Sequence, residues 1–234
     1  LDYAKKVEDS GADSFAIKDM SGILKPFDAY DLVRKLKENI SIPIHMQCHA
    51  TTGMSTASNL KAIEAGIDNI DTSISSMSMT YGHSPTETLV SIFKGKEEDF
   101  GLDINLLSDI ADYFKLIREK YSEFEGTLKG VDSSMLIKQV PGGMLSNLES
   151  QLKSQNLEDK LEEVKEEIPI VREDFGFPPL VTPVSQIIGA QSLQNVTENS
   201  RYKSLTTESR KLLLGGYGRL PGLVSEELLE KASR

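Results

Sequence analysis

The chain has 234 residues, 38% of them hydrophobic and 26% charged, which is ordinary for a soluble globular protein of one large domain or two small ones. Its formal net charge of −10 argues against nucleic acid as a partner, because contacts with a phosphate backbone favour a basic surface. No apolar run approaches the roughly 20 residues of a transmembrane helix. The one cysteine, Cys48, excludes an intramolecular disulfide, so a reducing, cytoplasmic location is expected.

Three strand–helix units are predicted in the first part of the chain. Strands are expected at residues 14–17, 42–47 and 69–74, and helical patterns precede the first strand and follow each of the three. A repeat of about 30 residues per unit predicts parallel strands joined by right-handed crossovers. Three such units cannot close an eight-stranded barrel.

The pattern changes after Gly101. Long helices are expected at residues 106–121 and 180–197, a further helix after the Pro-Gly-Gly turn at 141–143, and a short helix or frayed end at 220–234. The inner stripe of the first of these helices would carry Ile110, Phe114 and Ile117. Acidic and basic residues are mixed over 147–167, which indicates a solvated helical face.

Polar side chains gather at the end of the second predicted strand, in the segment IPIHMQCHATTG at 42–53. Because side chains alternate along a strand, His45, Gln47 and His49 would share one face, and Met46 and Cys48 the other. The carboxyl ends of parallel strands carry the active-site residues of (β/α) barrels. A buried histidine satisfied by its neighbours, with a second histidine on a loop, would explain the pattern equally well.

Lys18 and Asp19 end the first predicted strand. A lone buried ammonium group costs several kcal/mol, so an inward-facing lysine must be paired, deprotonated or modified. A deprotonated lysine can add carbon dioxide and become a carbamate, which is a carboxylate-like metal ligand. An ion pair of Lys18 with Asp19 or a glutamate is the simpler alternative, but a lysine one strand away from His49 favours a shared site. His83, in a later loop, is expected to cap the helix that follows it.

Three segments in this order carry a family resemblance: IKDMSGILKP at 17–26, HMQCHATTGMSTASNLKAIEAGIDNIDTSISSMSMTYGHSPTE at 45–87 and GVDSSMLIKQVPGGMLSNLESQL at 130–152. They are similar to the biotin-dependent carboxyltransferase family, which includes the carboxyltransferase domain of pyruvate carboxylase and the transcarboxylase 5S subunit. The similarity is greatest to the alpha subunit of oxaloacetate decarboxylase. The resemblance covers nearly the whole chain, and three separated motifs make it specific.

The resemblance implies an α/β fold, in which a (β/α)8 TIM barrel is followed by a mainly helical C-terminal domain that forms a funnel over the barrel mouth. Residues 1–100 would be the last βα units of the barrel, and residues 101–234 the funnel domain. About five upstream units and the biotin-acceptor AMKM motif are then absent from the sequence. Since the sequence starts at Leu1 rather than at methionine and shows no signal peptide, we expect a fragment of a longer enzyme.

The activity implied is transfer of the carboxyl group of oxaloacetate to biotin on a swinging carrier domain, which leaves pyruvate. Membrane subunits of a sodium pump would then decarboxylate the carboxybiotin, so the protein would be cytoplasmic and peripheral to the inner membrane, and we expect a homodimer. A divalent metal, Zn²⁺, Mn²⁺ or Co²⁺, would be the second cofactor. Alternatives are a pyruvate carboxylase or a transcarboxylase, a metal-dependent aldolase or lyase on a related barrel, and an inactive fragment that lacks the N-terminal substrate and metal residues.

The resemblance also implies roles for individual residues. Lys18 matches the catalytic lysine that is carbamylated and binds the metal, and His49 matches the second histidine of an HxH metal pair. Gln47 stands where the first histidine is expected, and an amide is a weaker ligand than an imidazole. His45 is on the same face but about 6.6 Å further along the strand, at 3.3 Å per residue, so it is not expected to substitute. Ser146 matches a catalytic threonine that contacts biotin and relays a proton between its ureido nitrogen and the enolate of pyruvate.

Overall fold

The computed structural model describes residues 1–126, 128–133, 135–138 and 140–234, apart from the side chains of Lys138 and Ser146. The chain forms two compact units, Leu1–Leu136 and Ile137–Arg234. These units are defined by packing, whereas the expected division into 1–100 and 101–234 refers to the domains of a family and stays a prediction. Within the described ranges, no helix combines the length and the apolar character that crossing a bilayer requires.

The first unit alternates helices and strands as the sequence predicts. Its elements are α1 (Asp2–Asp9), β1 (Phe15–Asp19), α2 (Pro26–Lys37), β2 (Ile44–Cys48), α3 (Ser55–Glu64), β3 (Asn69–Ile70), a 3-10 turn (Ser75–Met77), α4 (Thr86–Phe93), α5 (Ile104–Lys120) and a second 3-10 turn (Ser122–Phe124). Helix α2 begins at Pro26, whose fixed φ suits a first turn. A short helix, α6 (Met135–Lys138), lies at the boundary between the units.

The strands form a parallel sheet in the order β1-β2-β3, which confirms the predicted three-stranded architecture. One face of β2 is buried, and its Met46 and Cys48 pack with Ala29 and Val33 of α2 and Ala62 of α3. The other face carries polar groups, because side chains alternate along a strand. This second face is the one on which the candidate site is built.

The third strand is shorter than predicted. The sequence alternates through residue 74, yet strand pairing ends at Ile70. Beyond it, the amide of Ser73 donates to the carbonyl of Ser84, and the amide of Thr86 donates to the carbonyl of Ser73. The segment therefore pairs with the loop before α4 instead of continuing along β2.

Helix α5 packs against α4 and the first 3-10 turn, and its buried residue is Ala111. Ile110 and Phe114 are 45% and 37% exposed, and Ile117 is half-buried. The prediction of an inner stripe through these three residues is therefore wrong for this chain. The sequence pattern gives the amphipathic character of a helix, but it does not say what covers the apolar face.

The regular secondary structure of the second unit consists of helices in its described residues. Its elements are α7 (Gly142–Ser154), a 3-10 turn (Glu158–Lys160), α8 (Leu161–Asp174), α9 (Val184–Thr197), α10 (Thr207–Leu213) and α11 (Glu226–Ser233). Helices α8 and α9 pack together around Val164, Ile168 and Ile188. Helix α10 is not predicted from the sequence, and its first turn is capped by Thr206, whose hydroxyl accepts from the amide of Ser209.

Candidate active site

Lys18 and Gln47 lie side by side on the polar face of the sheet, since they are partners in the parallel register of β1 and β2. Lys18 is exposed in this chain and Gln47 is half-buried. Asp19 lies on the opposite face, where its carboxylate accepts hydrogen bonds from the amides of Ile23 at 3.1 Å and Leu24 at 2.7 Å. The simpler alternative from the sequence, an ion pair of Lys18 with Asp19 or a glutamate, is not formed among the described residues.

Cys48 is the last residue of β2 and lies on the buried face of that strand. Its thiol donates to Asp19 Oδ2 at 3.3 Å. Burial, and secondly the negative charge of Asp19, raise the pKa of the Cys48 thiol. The thiol therefore stays protonated, and with Asp19 it fixes the loop after β1 from behind the site.

The orientation of His49 is set by a backbone carbonyl. His49 Nδ1 lies 2.7 Å from the carbonyl oxygen of Tyr81, so Nδ1 carries the proton and donates it. Nε2 has no hydrogen-bond partner among the described residues. Metal-binding histidines are held in the same way, by a hydrogen bond from the ring nitrogen that does not bind the metal. His49 is thus prepared to act as a ligand through Nε2.

A glycine allows the loop after β1 to approach His49. Gly22 has a φ of +68°, and a Cβ atom at this position would lie 2.5 Å from the carbonyl oxygen of His49. The hydroxyl of Thr52 also donates to the carbonyl of Gly22. The loops that follow β1 and β2 are therefore held together at the backbone of His49.

His83 lies against His49, with the two ring centres 4.8 Å apart and the planes at 44°. Its Nε2 atom is buried without a hydrogen-bond partner in the part of the chain that the structure describes. Burial, and secondly the neighbouring His49, hold the pKa of His83 below its ordinary value, so the ring is neutral at neutral pH. The expectation that His83 caps α4 is wrong, because the N-cap is Pro85 and no side chain makes a capping bond there.

His45 is on the same face as Gln47 but is already engaged. Its Nε2 atom accepts a hydrogen bond from Asn69 Nδ2 at 3.3 Å, and Asn69 is its register partner on β3. This pairing supports the expectation that His45 does not substitute for the missing histidine.

The chemistry of the side chains at this end of the sheet would suit a divalent metal if Lys18 were a carbamate and Gln47 contributed its amide oxygen. In the described ranges, no group of three or more histidine, cysteine, aspartate or glutamate side chains is arranged to hold a metal. A metal at His49 would therefore use Lys18, Gln47 or groups from outside this chain in addition. The buried, unpartnered Nε2 of His83 is the observation that favours such a site, since an orphaned buried nitrogen is costly.

Ser146 belongs to helix α7 of the second unit. Its side chain lies outside the described part of the structure, so its predicted contact with biotin stays a prediction. His83, the Tyr81 carbonyl and Gly22 are not predicted from the sequence to belong to the site. The GHS and SGI segments carry no metal-binding pattern, and a backbone acceptor leaves no signal in a sequence.

Family models match both the N-terminal and the C-terminal part of the chain. Residues 1–114 match the family model described as HMGL-like, and residues 135–234 match the one described as a conserved carboxylase domain. A pyruvate carboxylase subunit of Methanocaldococcus jannaschii is 49% identical over 99% of this chain and 41% of its own length. The methylmalonyl-CoA carboxyltransferase 5S subunit of Propionibacterium freudenreichii subsp. shermanii is 48% identical over 93% of this chain and 43% of its own length. The chain belongs to the carboxyltransferase family of pyruvate carboxylase and transcarboxylase.

A solved structure of this carboxyltransferase family supports the same assignment. The carboxyl transferase domain of Rhizobium etli pyruvate carboxylase, in its complex with pyruvate, superposes with a TM-score of 0.92 and 31% identity over 99% of this chain and 40% of that one. The predicted family is confirmed, and so is an α/β fold like that of the carboxyltransferase domain. The chain spans about two fifths of the length of each of these three relatives. A complete barrel and a funnel over its mouth stay predictions.

Proposed function

We propose that this chain supplies part of a biotin-dependent carboxyltransferase active site, at which the carboxyl group of oxaloacetate is transferred to biotin and pyruvate is released. The observation that carries the proposal is the hydrogen bond between His49 Nδ1 and the Tyr81 carbonyl at 2.7 Å, which leaves Nε2 available beside Lys18 and Gln47. This arrangement stands at the carboxyl ends of parallel strands, where (β/α) barrels bind their substrates. The family to which the chain belongs supports the same chemistry.

Lys18, Gln47 and His49 are the residues that would hold a divalent metal. His49 would bind through Nε2, Gln47 through its amide oxygen, and Lys18 after conversion of its amine to a carbamate. A bound Zn²⁺, Mn²⁺ or Co²⁺ would supply polarisation of the keto oxygen of oxaloacetate. Because an amide oxygen is a weaker ligand than an imidazole, affinity is expected to be lower than at a site with two histidines in the HxH positions.

Ser146 is the proposed proton carrier. In the reaction the bond between the departing carboxyl group and the methylene carbon of oxaloacetate breaks, and the ureido nitrogen of biotin forms a new bond to that carboxyl carbon. The ureido nitrogen must lose a proton, and the enolate of pyruvate must gain one. The Ser146 hydroxyl would pass this proton between them, as a positioned acid and base.

The finer prediction is that the protein is the alpha subunit of a sodium-pumping oxaloacetate decarboxylase, with membrane subunits as partners and a biotinyl carrier domain as acceptor. The relatives point to a second candidate, since two of them are named as pyruvate carboxylase subunits and one is named as a methylmalonyl-CoA carboxyltransferase subunit. A pyruvate carboxylase would catalyse the reverse reaction, in which the carboxyl group moves from carboxybiotin to pyruvate and oxaloacetate is formed. An inactive fragment and a homodimer also stay predictions.

The test is biotin-dependent turnover by the intact protein. Pyruvate released from oxaloacetate would be followed with lactate dehydrogenase, with and without biocytin, and oxaloacetate formed from pyruvate and carboxybiotin would be followed with malate dehydrogenase. We expect biocytin to stimulate the reaction, and His49→Ala to lower the rate at least about 100-fold. His45→Ala is the matched control. A rate that does not depend on biocytin would refute the proposal, and a dependence on sodium in membranes would select the pump.

A further inference from the structure

The proposed function assigns no role to His83. Its neighbours in the sequence, Gly82 and Ser84, form hydrogen bonds with the residue that follows His49 and with helix α3. The amide of Ala50 donates to the carbonyl of Gly82 at 2.8 Å, and the buried hydroxyl of Ser84 bonds to Ser55 at 2.8 Å and to Asn59 at 3.2 Å. The residues on both sides of His83 are therefore bonded to the segment that follows His49.

The loop that carries His83 has an uncommon conformation. Met79 and Thr80 have φ values of 62° and 50°, in the left-handed region that residues with side chains seldom adopt. The amide of Met79 donates to the carbonyl of His83 at 2.8 Å, which closes the turn. Such strained turns persist where the surrounding structure determines them, and they concentrate at functional sites.

The spacing of the two imidazole rings is that of two ligands of one ion. Two imidazoles that bind one tetrahedral metal through nitrogen atoms at about 2.1 Å have their ring centres roughly 5 Å apart. The ring centres of His49 and His83 are 4.8 Å apart. Each Nε2 atom lacks a hydrogen-bond partner among the described residues, and that of His83 is buried. A buried imidazole nitrogen with no hydrogen-bond partner costs stability unless something binds to it.

We propose that His83 is a further ligand of the metal at Lys18 and His49, and that it supplies the imidazole that Gln47 does not. The inference rests on the proposed function, because it requires a metal at this site. The ion it predicts is one that favours nitrogen ligands, such as Zn²⁺ or Co²⁺, over Mg²⁺. The rival explanation is that His83 only packs against the ring of His49.

The experiment uses the intact protein after removal of metal by a chelator. Zn²⁺ affinity would be measured by competition with a chromophoric chelator, and the number of imidazoles bound to Cu²⁺ would be counted by electron spin-echo modulation. His83→Ala is expected to weaken Zn²⁺ binding about 10–100-fold and to reduce the count from two imidazoles to one. His45→Ala, which removes a histidine already bonded to Asn69, is the matched control and should change neither value. The double variant Gln47→His/His83→Ala should regain the Zn²⁺ affinity and the count of two imidazoles.

The outcomes separate the two proposals. If wild-type protein binds Zn²⁺ and His83→Ala leaves both the affinity and the imidazole count unchanged, His83 is not a ligand while the metal site stands. If wild-type protein binds no Zn²⁺ at all, the metal site of the proposed function fails, and the role of His83 fails with it. His83→Gln guards against loss of the fold, since it keeps a polar side chain of similar size. Full Zn²⁺ affinity in this variant, at an unchanged melting temperature, would also overturn the inference.

Discussion

The ring of His49 is oriented by the carbonyl of Tyr81, a group 32 residues further along the chain. Because the acceptor is backbone, the hydrogen bond depends on the path of the loop after β3 and not on a side chain. Substitution of Tyr81 should therefore leave the orientation of His49 intact. Gly22, by contrast, approaches the backbone of His49 so closely that a larger side chain there should disturb the site.

We predict that Gly22→Ala destabilises the protein by about 2–4 kcal/mol and weakens metal binding. The added Cβ atom would meet the carbonyl oxygen of His49 at 2.5 Å, and φ at this position is +68°. Gly66→Ala is the control, since Gly66 has a φ of +85° with no atom within 4 Å of the added carbon. It should cost only the backbone penalty of about 1–2 kcal/mol and leave metal binding unchanged. Denaturant melts and metal titrations measure the two effects. If both substitutions changed the stability and the metal affinity equally, the close contact between residue 22 and the His49 carbonyl would be contradicted.

Gln47→His should raise the metal affinity of the intact protein by about tenfold or more, since an imidazole replaces an amide opposite Lys18. Metal content after dialysis, measured by mass spectrometry, checks this, with turnover measured in parallel. Full occupancy in the wild type, with no change in the variant, would show that Gln47 does not limit binding.

Ser146→Ala should slow biotin-dependent carboxyl transfer strongly while metal and pyruvate binding persist. Removal of a proton-relay hydroxyl affects the transition state more than the ground state, so kcat should fall by about 10²–10⁴-fold with little change in Kd. Ser146→Thr retains the hydroxyl and serves as the matched variant, which should keep near-normal turnover. Near-normal turnover in Ser146→Ala would eliminate the proposed relay.

Glu167→Ala should destabilise the second unit by about 1–3 kcal/mol. Glu167 is 8% exposed, and its carboxylate accepts from Asn195 at 3.0 Å and from Arg201 at 2.9–3.1 Å. Its removal leaves the amide of Asn195 buried without this acceptor. Glu163→Ala breaks only the exposed pair with Lys160 and should have no measurable effect. Chemical denaturation of the two variants compares them, and indistinguishable midpoints would count against the buried network.

The sequence predicts those parts of the fold that follow from alternation and spacing. Ile44, Met46 and Cys48 are buried together and Gln47 faces away from them, as a period of two residues requires. The length of β3 could not be predicted, because the bonds of Ser73 to the loop before α4 compete with the sheet. The burial of α5 could not be predicted either, since its apolar stripe does not specify a partner.

The candidate site also contains residues that can be predicted from the sequence and residues that cannot. Lys18 and Gln47 meet because parallel strands in register bring them together, and strand ends are visible in the sequence. His83 comes to His49 from a loop beyond β3, and its approach depends on bonds from Ala50 and on the turn at Met79 and Thr80. A histidine in a loop is consistent with many roles, so only the tertiary structure connects it to the site.

The buried thiol of Cys48 has a practical consequence. It is the only thiol of the chain, and it lies behind the strand whose other face carries Gln47. A maleimide can reach it only in molecules where β2 has separated from α2 and α3, so the labelling rate reports the local opening of the strand that supports the site. A metal or substrate that binds in front of the strand should slow labelling behind it, and this gives a binding assay that requires neither turnover nor a mutation.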